Sequence, residues 1–163
     1  MEARYDLLET LISKFTRTLP PHPQYKQRLL EELKIIGELN FAKHFLRVVE
    51  ILNLTSDIPH ITRGSAGCSL VCWLLGISDV DPIQERIPLA RFMNPRREDL
   101  PDIDLDFPHH QQGVVMQRIF NRWPQQSARV SNYVTFKEKS AKREAAKRYG
   151  AQGKLKRNFK LED

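Results

Sequence analysis

The chain has 163 residues, 40% of them hydrophobic and 28% charged, with a formal net charge of +6. This length suits one ordinary domain around one core, and no apolar run is long enough to cross a bilayer, which excludes a membrane-spanning class. The only cysteines, Cys68 and Cys72, lie in one apolar stretch without zinc-ligand spacing, so they read as buried small hydrophobes in a reduced chain. Residues 1–10 carry acids where a secretory leader needs a basic start, and a cytoplasmic location is expected.

Residues 2–17 place Leu8, Leu11, Ile12 and Phe15 at helical spacing. Leu19-Pro20-Pro21-His22-Pro23 breaks that helix and forms a linker. A second helix is predicted from about Gln24, with Leu29, Leu33, Ile36 and Leu39 on one side and Gly37 and Asn40 weakening its end. A third, from about Phe41, carries Phe45, Val48, Val49 and Leu52; His44 within it reads as a satisfied helix histidine in preference to a ligand. Residues 53–60, with Asp57-Ile58-Pro59, read as a loop.

Thr62-Arg63-Gly64-Ser65-Ala66-Gly67-Cys68-Ser69 follows, leading into a buried helix over 70–75. Small residues let backbone approach a ligand, and glycine and serine at a helix start expose N–H donors to an anion. Arg63 adds a fork for phosphate oxygens. The same residues also make an ordinary N-cap, and that alternative stays open. Asp79 and Asp81, in the stretch that ends this helix, read as caps.

Arg91, Arg96 and Arg97 then lead to residues 101–107, PDIDLDF. Carboxylates alternate with apolar residues at the period of a half-buried strand. Asp102, Asp104 and Asp106 share one face, while Ile103, Leu105 and Phe107 turn to a core. Stacked acids repel unless a cation sits among them, and Mg2+ suits a few carboxylates plus water and phosphate. A solvated acidic strand edge is the other reading. Residues 114–123 read as a helix, with Val115, Ile119 and Trp123 on one side, 130–136 as a short strand, and 140–149 as a further helix before Gly150 and Gly153 release a tail.

The positive charge is concentrated at the end. Residues 137–160 hold ten Lys or Arg against Glu138 and Glu144, a net of +8, leaving −2 for the rest. A polyanion such as DNA is a plausible partner for this segment, with Lys139, Lys142 and Arg143 as the contacts; a solvated helix and tail is the bland alternative. The organisation expected is a helix and Pro-rich linker over 1–23, a partial domain over 24–136, and a basic helix and tail over 137–163.

A small-residue loop at Gly64-Ser65 followed by an acidic strand with D-x-D spacing has the logic of two-metal nucleotidyl transfer. The order of motifs resembles the bacterial C-family DNA polymerases, the alpha subunits of DNA polymerase III. The matching residues are 25–33 (YKQRLLEEL), Arg63-Gly64-Ser65-Ala66 with Ser69-Leu70-Val71, Gly76-Ile77-Ser78-Asp79-Val80-Asp81-Pro82, Arg91-Phe92-Met93-Asn94-Pro95, and 101–107. Weaker similarity runs through Val134-Thr135-Phe136 and Ala141-Lys142.

The resemblance implies an α+β fold: part of a polymerase-beta-like nucleotidyltransferase palm, with a small mixed sheet covered by several helices. It implies that Asp102 and Asp104 are catalytic and hold Mg2+, and that Gly64 and Ser65 receive the incoming triphosphate with Arg63 and Arg91 beside them. Asp106 matches a position not usually counted among the catalytic acids. Lys142 falls in a segment that runs near primer-template or nucleotide in the family. The implied activity is DNA-directed DNA polymerisation, with primer-template DNA and dNTP as partners alongside remaining polymerase segments or replisome subunits. The third catalytic aspartate, the fingers and the thumb match positions beyond residue 163, so activity is expected to need further segments.

The chain departs from the family pattern in three places. Thr62 stands where the family has glycine, Gly67-Cys68 replaces Ala-Gly, and Pro108-His109-His110-Gln111-Gln112-Gly113 replaces acidic and arginine residues. His109 and His110 read as loop residues after the strand. A non-catalytic nucleotide- or DNA-binding module derived from a palm is the alternative function, and a structural remnant is the third.

Overall fold

The computed structural model describes residues 2–94, 96, 99–130 and 135–148, with side chains from residue 6 onward. Three helices build the first layer: α1 (Glu2–Ile12), α2 (Pro23–Glu38) and α3 (Ala42–Leu54). Helix α1 stops five residues short of the expected end. The amides of Thr16 and Arg17 donate instead to the Leu74 carbonyl, at 2.8 and 3.2 Å, a tertiary bond that competes with the helical ladder.

Pro23 occupies the first position of α2, where its missing N–H costs nothing, and the His22 ring accepts from the Gln24 amide at 3.3 Å. Gly37 lies in the last turn of α2, which ends at Glu38. A Cβ there would stand 2.9 Å from Leu8 Cδ1, so the glycine lets α1 cross α2 closely. Asn40, at φ 59°, makes the left-handed turn into α3. The apolar stripe of α3 faces inward as read, burying Phe45, Val48 and Val49.

Next come β1 (Ile61–Arg63), a 3-10 turn over Gly64–Cys68, and the short helix α4 (Leu70–Leu74). After a 3-10 turn at Leu89–Arg91 the chain forms β2 (Asp104–Asp106), then a 3-10 turn at His109–Gln111 and α5 (Gln112–Arg122). β1 and β2 pair antiparallel, with Ile61 opposite Asp106, Thr62 opposite Leu105 and Arg63 opposite Asp104. The fold is thus α+β and rich in helix. Among the described residues the sheet is this antiparallel pair; the small mixed sheet expected needs a third strand, since two strands have only one pairing direction.

The core gathers Leu11, Ile36, Phe45, Val71, Cys72, Phe92 and Met93 between these layers, with the Phe45 and Phe92 rings edge to face at 6.1 Å. Both cysteines are buried thiols, and burial pushes the Cys72 pKa far up. Asp81 caps a turn as read, accepting from the amides of Ile83 and Gln84 (2.9 and 3.2 Å) and from the Tyr25 hydroxyl (2.7 Å). Asp79 does not cap; it pairs with Arg17 at 2.7 Å.

The chain divides into two compact units, Met1–Ser127 and Ala128–Asp163. The second carries α6 (Glu138–Arg148), whose Glu138–Lys142 and Glu144–Arg148 pairs span one turn at 2.6 and 3.4 Å. Residues 131–134 of the strand expected at 130–136 lie outside the described residues, and Val130, Thr135 and Phe136 belong to no strand. The tail after Gly150 also lies outside them. Among the described residues no helix is long and apolar enough to cross a membrane.

Helix α5 is clamped to the end of α3 by Arg118, which donates to the Leu54 carbonyl and Asp57 Oδ2, each at 2.9 Å. That pairing holds the Asp57 carboxyl below its usual value of about 3.9. A depressed folded-state pKa contributes stability above the unfolded value and loses it as pH falls through the folded one. Asp57→Asn is therefore expected to lower Tm at pH 7, by a margin that shrinks as pH falls below the usual carboxylate range. A Tm difference that does not shrink as pH is lowered would show that the clamp does not act through charge.

Candidate functional site

Helix α2 and helix α4 meet through a buried acid. Glu32 is fully buried, and its Oε1 accepts from Arg28 Nε at 2.7 Å and the Leu70 amide at 2.8 Å. Its Oε2 accepts from Ser69 Oγ at 2.7 Å and the Val71 amide at 3.0 Å. Ser69 Oγ in turn accepts from the Cys72 amide at 3.1 Å, capping α4. The first amides of α4, expected to face an external anion, are thus consumed internally; the anion at this helix start is Glu32.

The exposed side of the loop lies elsewhere, against the acidic strand. Gly64 opens the 3-10 turn at φ 72°, and a Cβ on it would stand 2.9 Å from Asp104 Oδ2. Glycine is thus required twice, by backbone conformation and by approach to the acid. The cause is the β1–β2 pairing, which sets Arg63 opposite Asp104 and so brings the loop onto the second acid of the D-x-D run. Ser65 follows in the turn, half-buried.

Asp102, Asp104 and Asp106 are all exposed, while Ile103 and Leu105 pack on the core edge, so the alternation read from the sequence holds. Phe107 sits against the His60 ring, with centroids 6.1 Å apart. The strand's entry is pinned from α3, where His44 Nε2 donates to the Pro101 carbonyl at 2.8 Å. His44 is a satisfied helix histidine, as expected.

Arg63 is exposed but paired. It forks onto Asp106 with Nη2 to Oδ1 at 3.1 Å and a second, closer contact from Nε to Oδ2. This pair offsets the charge of the third acid. Arg91 is exposed on the turn Leu89–Arg91, which packs beside the turn Gly64–Cys68. Thr62 donates its hydroxyl to the Ile77 carbonyl, so this departure from a small residue ties β1 to the chain after α4. Lys139, Lys142 and Arg143 lie on α6 in the second unit, with Lys142 bonded to Glu138. His109 and His110 form an exposed turn.

Asp102 and Asp104 offer the donor set that Mg2+ takes, one or two carboxylates with the remaining positions left to water and phosphate oxygens. Among the described residues no three His, Cys, Asp or Glu side chains group closely enough to enclose a metal on their own.

Sequence reasoning missed Arg28 and Glu32. A cue was present: Tyr25, Glu32 and Ile36 share a buried face of α2, and an acid on an apolar stripe demands a partner.

Gly64→Ala is expected to cost about 1–2 kcal/mol, because an L side chain pays for the left-handed region and the new methyl meets Asp104. Urea unfolding measures the loss; an unchanged midpoint would refute this geometry.

Residues 4–161 match the family model described as the bacterial DNA polymerase III alpha NTPase domain. The chain is 38% identical over 137 residues to an error-prone DNA polymerase of Nocardia farcinica, covering 80% of this chain and 12% of that protein. It is 35% identical over 133 residues to the DNA polymerase III subunit alpha of Mycoplasma genitalium, covering 79% and 15%. Against the corresponding subunit of Bacillus subtilis the figures are 34% over 151 residues, covering 90% and 13%. The chain thus spans 12 to 15% of the length of these relatives.

Proposed function

The chain belongs to the bacterial DNA polymerase III alpha family, and from that premise we propose that it is a palm-region portion of a DNA-directed DNA polymerase, of the polymerase-beta-like kind. The observation that carries this reading is the approach of Gly64 to Asp104, which brings the small-residue turn and the acidic strand against each other. In this reading Asp102 and Asp104 hold Mg2+ at the exposed strand face. Gly64 and Ser65 receive the triphosphate of an incoming dNTP. Arg91 neutralises its charge from the adjoining turn. Arg63 steadies Asp106 and adds positive potential at the loop entrance.

When bound, Mg2+ lowers the pKa of the attacking primer 3′-hydroxyl and neutralises charge at the leaving pyrophosphate. The third carboxylate and the surfaces that grip template come from further polymerase segments, so the chain alone is a poor catalyst. Lys139 and Arg143, with Lys142 beside them, contact DNA phosphates from α6. The setting is replication in the cytoplasm, among other replisome subunits.

Metal binding at the acids is tested by melting. Mg2+ or Mn2+ is expected to raise Tm, and the double variant Asp102→Asn/Asp104→Asn is expected to abolish the rise; a shift that survives in the variant sinks the assignment. Primer extension, with downstream segments of a related full-length polymerase supplied in trans, tests the reaction. Extension that depends on both acids supports it, whereas triphosphate binding without extension selects the alternative of a non-catalytic binding module.

The basic segment makes a separate prediction. Duplex affinity is expected to fall steeply with salt, with a log–log slope near −0.9 per phosphate contact, and to drop when residues 137–163 are deleted. Salt-independent binding, or binding unaffected by the deletion, would assign the DNA contacts elsewhere.

A further inference from the structure

Arg28 and Glu32 touch neither the acids nor the exposed side of the loop, yet they form a buried charge pair. Glu32 is wholly inaccessible, and the Arg28 side chain is 13% exposed. A buried ion pair is a weak source of stability, since apolar residues of similar volume hold two helices together as well or better. What charge adds is direction. Every bond that Glu32 accepts, apart from that of Arg28, comes from Ser69, Leu70 or Val71, at the joint between the turn Gly64–Cys68 and α4.

Arg28 completes the grip. Its Nη2 donates to the Cys68 carbonyl at 2.6 Å and to the Ile87 carbonyl at 3.3 Å. Cys68 ends the turn that carries Gly64 and Ser65, and Ile87 lies two residues before the turn that carries Arg91. One guanidinium therefore spans both segments assigned to the triphosphate, while its carboxylate partner fixes the helix behind them.

We infer that the Arg28–Glu32 pair is a positioning device for nucleotide binding: it sets Gly64-Ser65 and Arg91 in register with each other and with Asp104, without touching substrate. This rests on the nucleotide reading above. It implies that the pair controls triphosphate affinity beyond its share of global stability.

Glu32→Gln is the test. Each carboxylate oxygen accepts a backbone N–H, so the amide nitrogen of glutamine must face a donor on one side. Hydrogen exchange of residues 64–72, Tm, and affinity for dATP with Mg2+ are measured on the full chain. Val115→Ala, a cavity in the buried face of α5, serves as a control for global destabilisation.

Relative to the control at equal loss of Tm, Glu32→Gln is expected to weaken dATP binding about tenfold or more, and to speed exchange selectively in 64–72. Arg28→Lys, which keeps the charge and loses the fork, is expected to show the same pattern in milder form. It supplies both measurements if Glu32→Gln does not fold. Exchange and affinity no different from those of the control overturn the inference. If the unmodified chain binds no dATP, the nucleotide reading fails and the inference falls with it, whereas dATP binding by the unmodified chain that Glu32→Gln weakens no more than the control does overturns the inference alone.

Discussion

Taking a carboxylate out of water costs several kcal/mol unless its oxygens find donors, and Glu32 meets that condition with four of them. Each donor it recruits comes from a place the fold must control: Arg28 on its own helix, the Ser69 cap, and the first amides of α4. Helix α2 presents the acid, the acid seats α4, and the turn ahead of α4 inherits its position. β1, which leads into that turn, pairs with β2.

The sheet is small enough to depend on this scaffold. Two strands of three residues do not persist alone in water. Here they are held from several sides: Ile103 and Leu105 pack on the core edge, His44 grips the Pro101 carbonyl, and Thr62 bonds to the Ile77 carbonyl. The exposed face carries the electrostatic consequence. Three carboxylates in alternation repel, and Arg63 relieves one of them by forking onto Asp106. The acid that stands against Gly64 is Asp104.

Much of this was legible in the residues. The stripes of α2 and α3 turned inward as their spacing indicated, and the D-x-D alternation placed its acids outward, because both periods report a single buried face. Asp81 as a cap and His44 as a satisfied histidine followed from ordinary hydrogen-bonding habits. Other features left little trace. Three residues at β1 are too few to show a period, and the end of α1 depends on a carbonyl at Leu74, far along the chain. Gly37 read as a weak point near the end of α2; its close approach to Leu8 was not legible, since helix propensity carries no information about a neighbouring helix.

The sequence by itself determined which segments are helical, which face of the acidic run is wet, where positive charge collects, and which family's motifs the chain carries. Local spacing and composition encode those properties directly. Only the tertiary structure decided that the first amides of α4 belong to Glu32, that Arg63 serves Asp106, and that Gly64 stands against Asp104. Those are partnerships between residues some 40 positions apart, and competition among donors and acceptors in three dimensions selects them. No local pattern can rank such competitors, because each looks equally able to bind until the others have been seated.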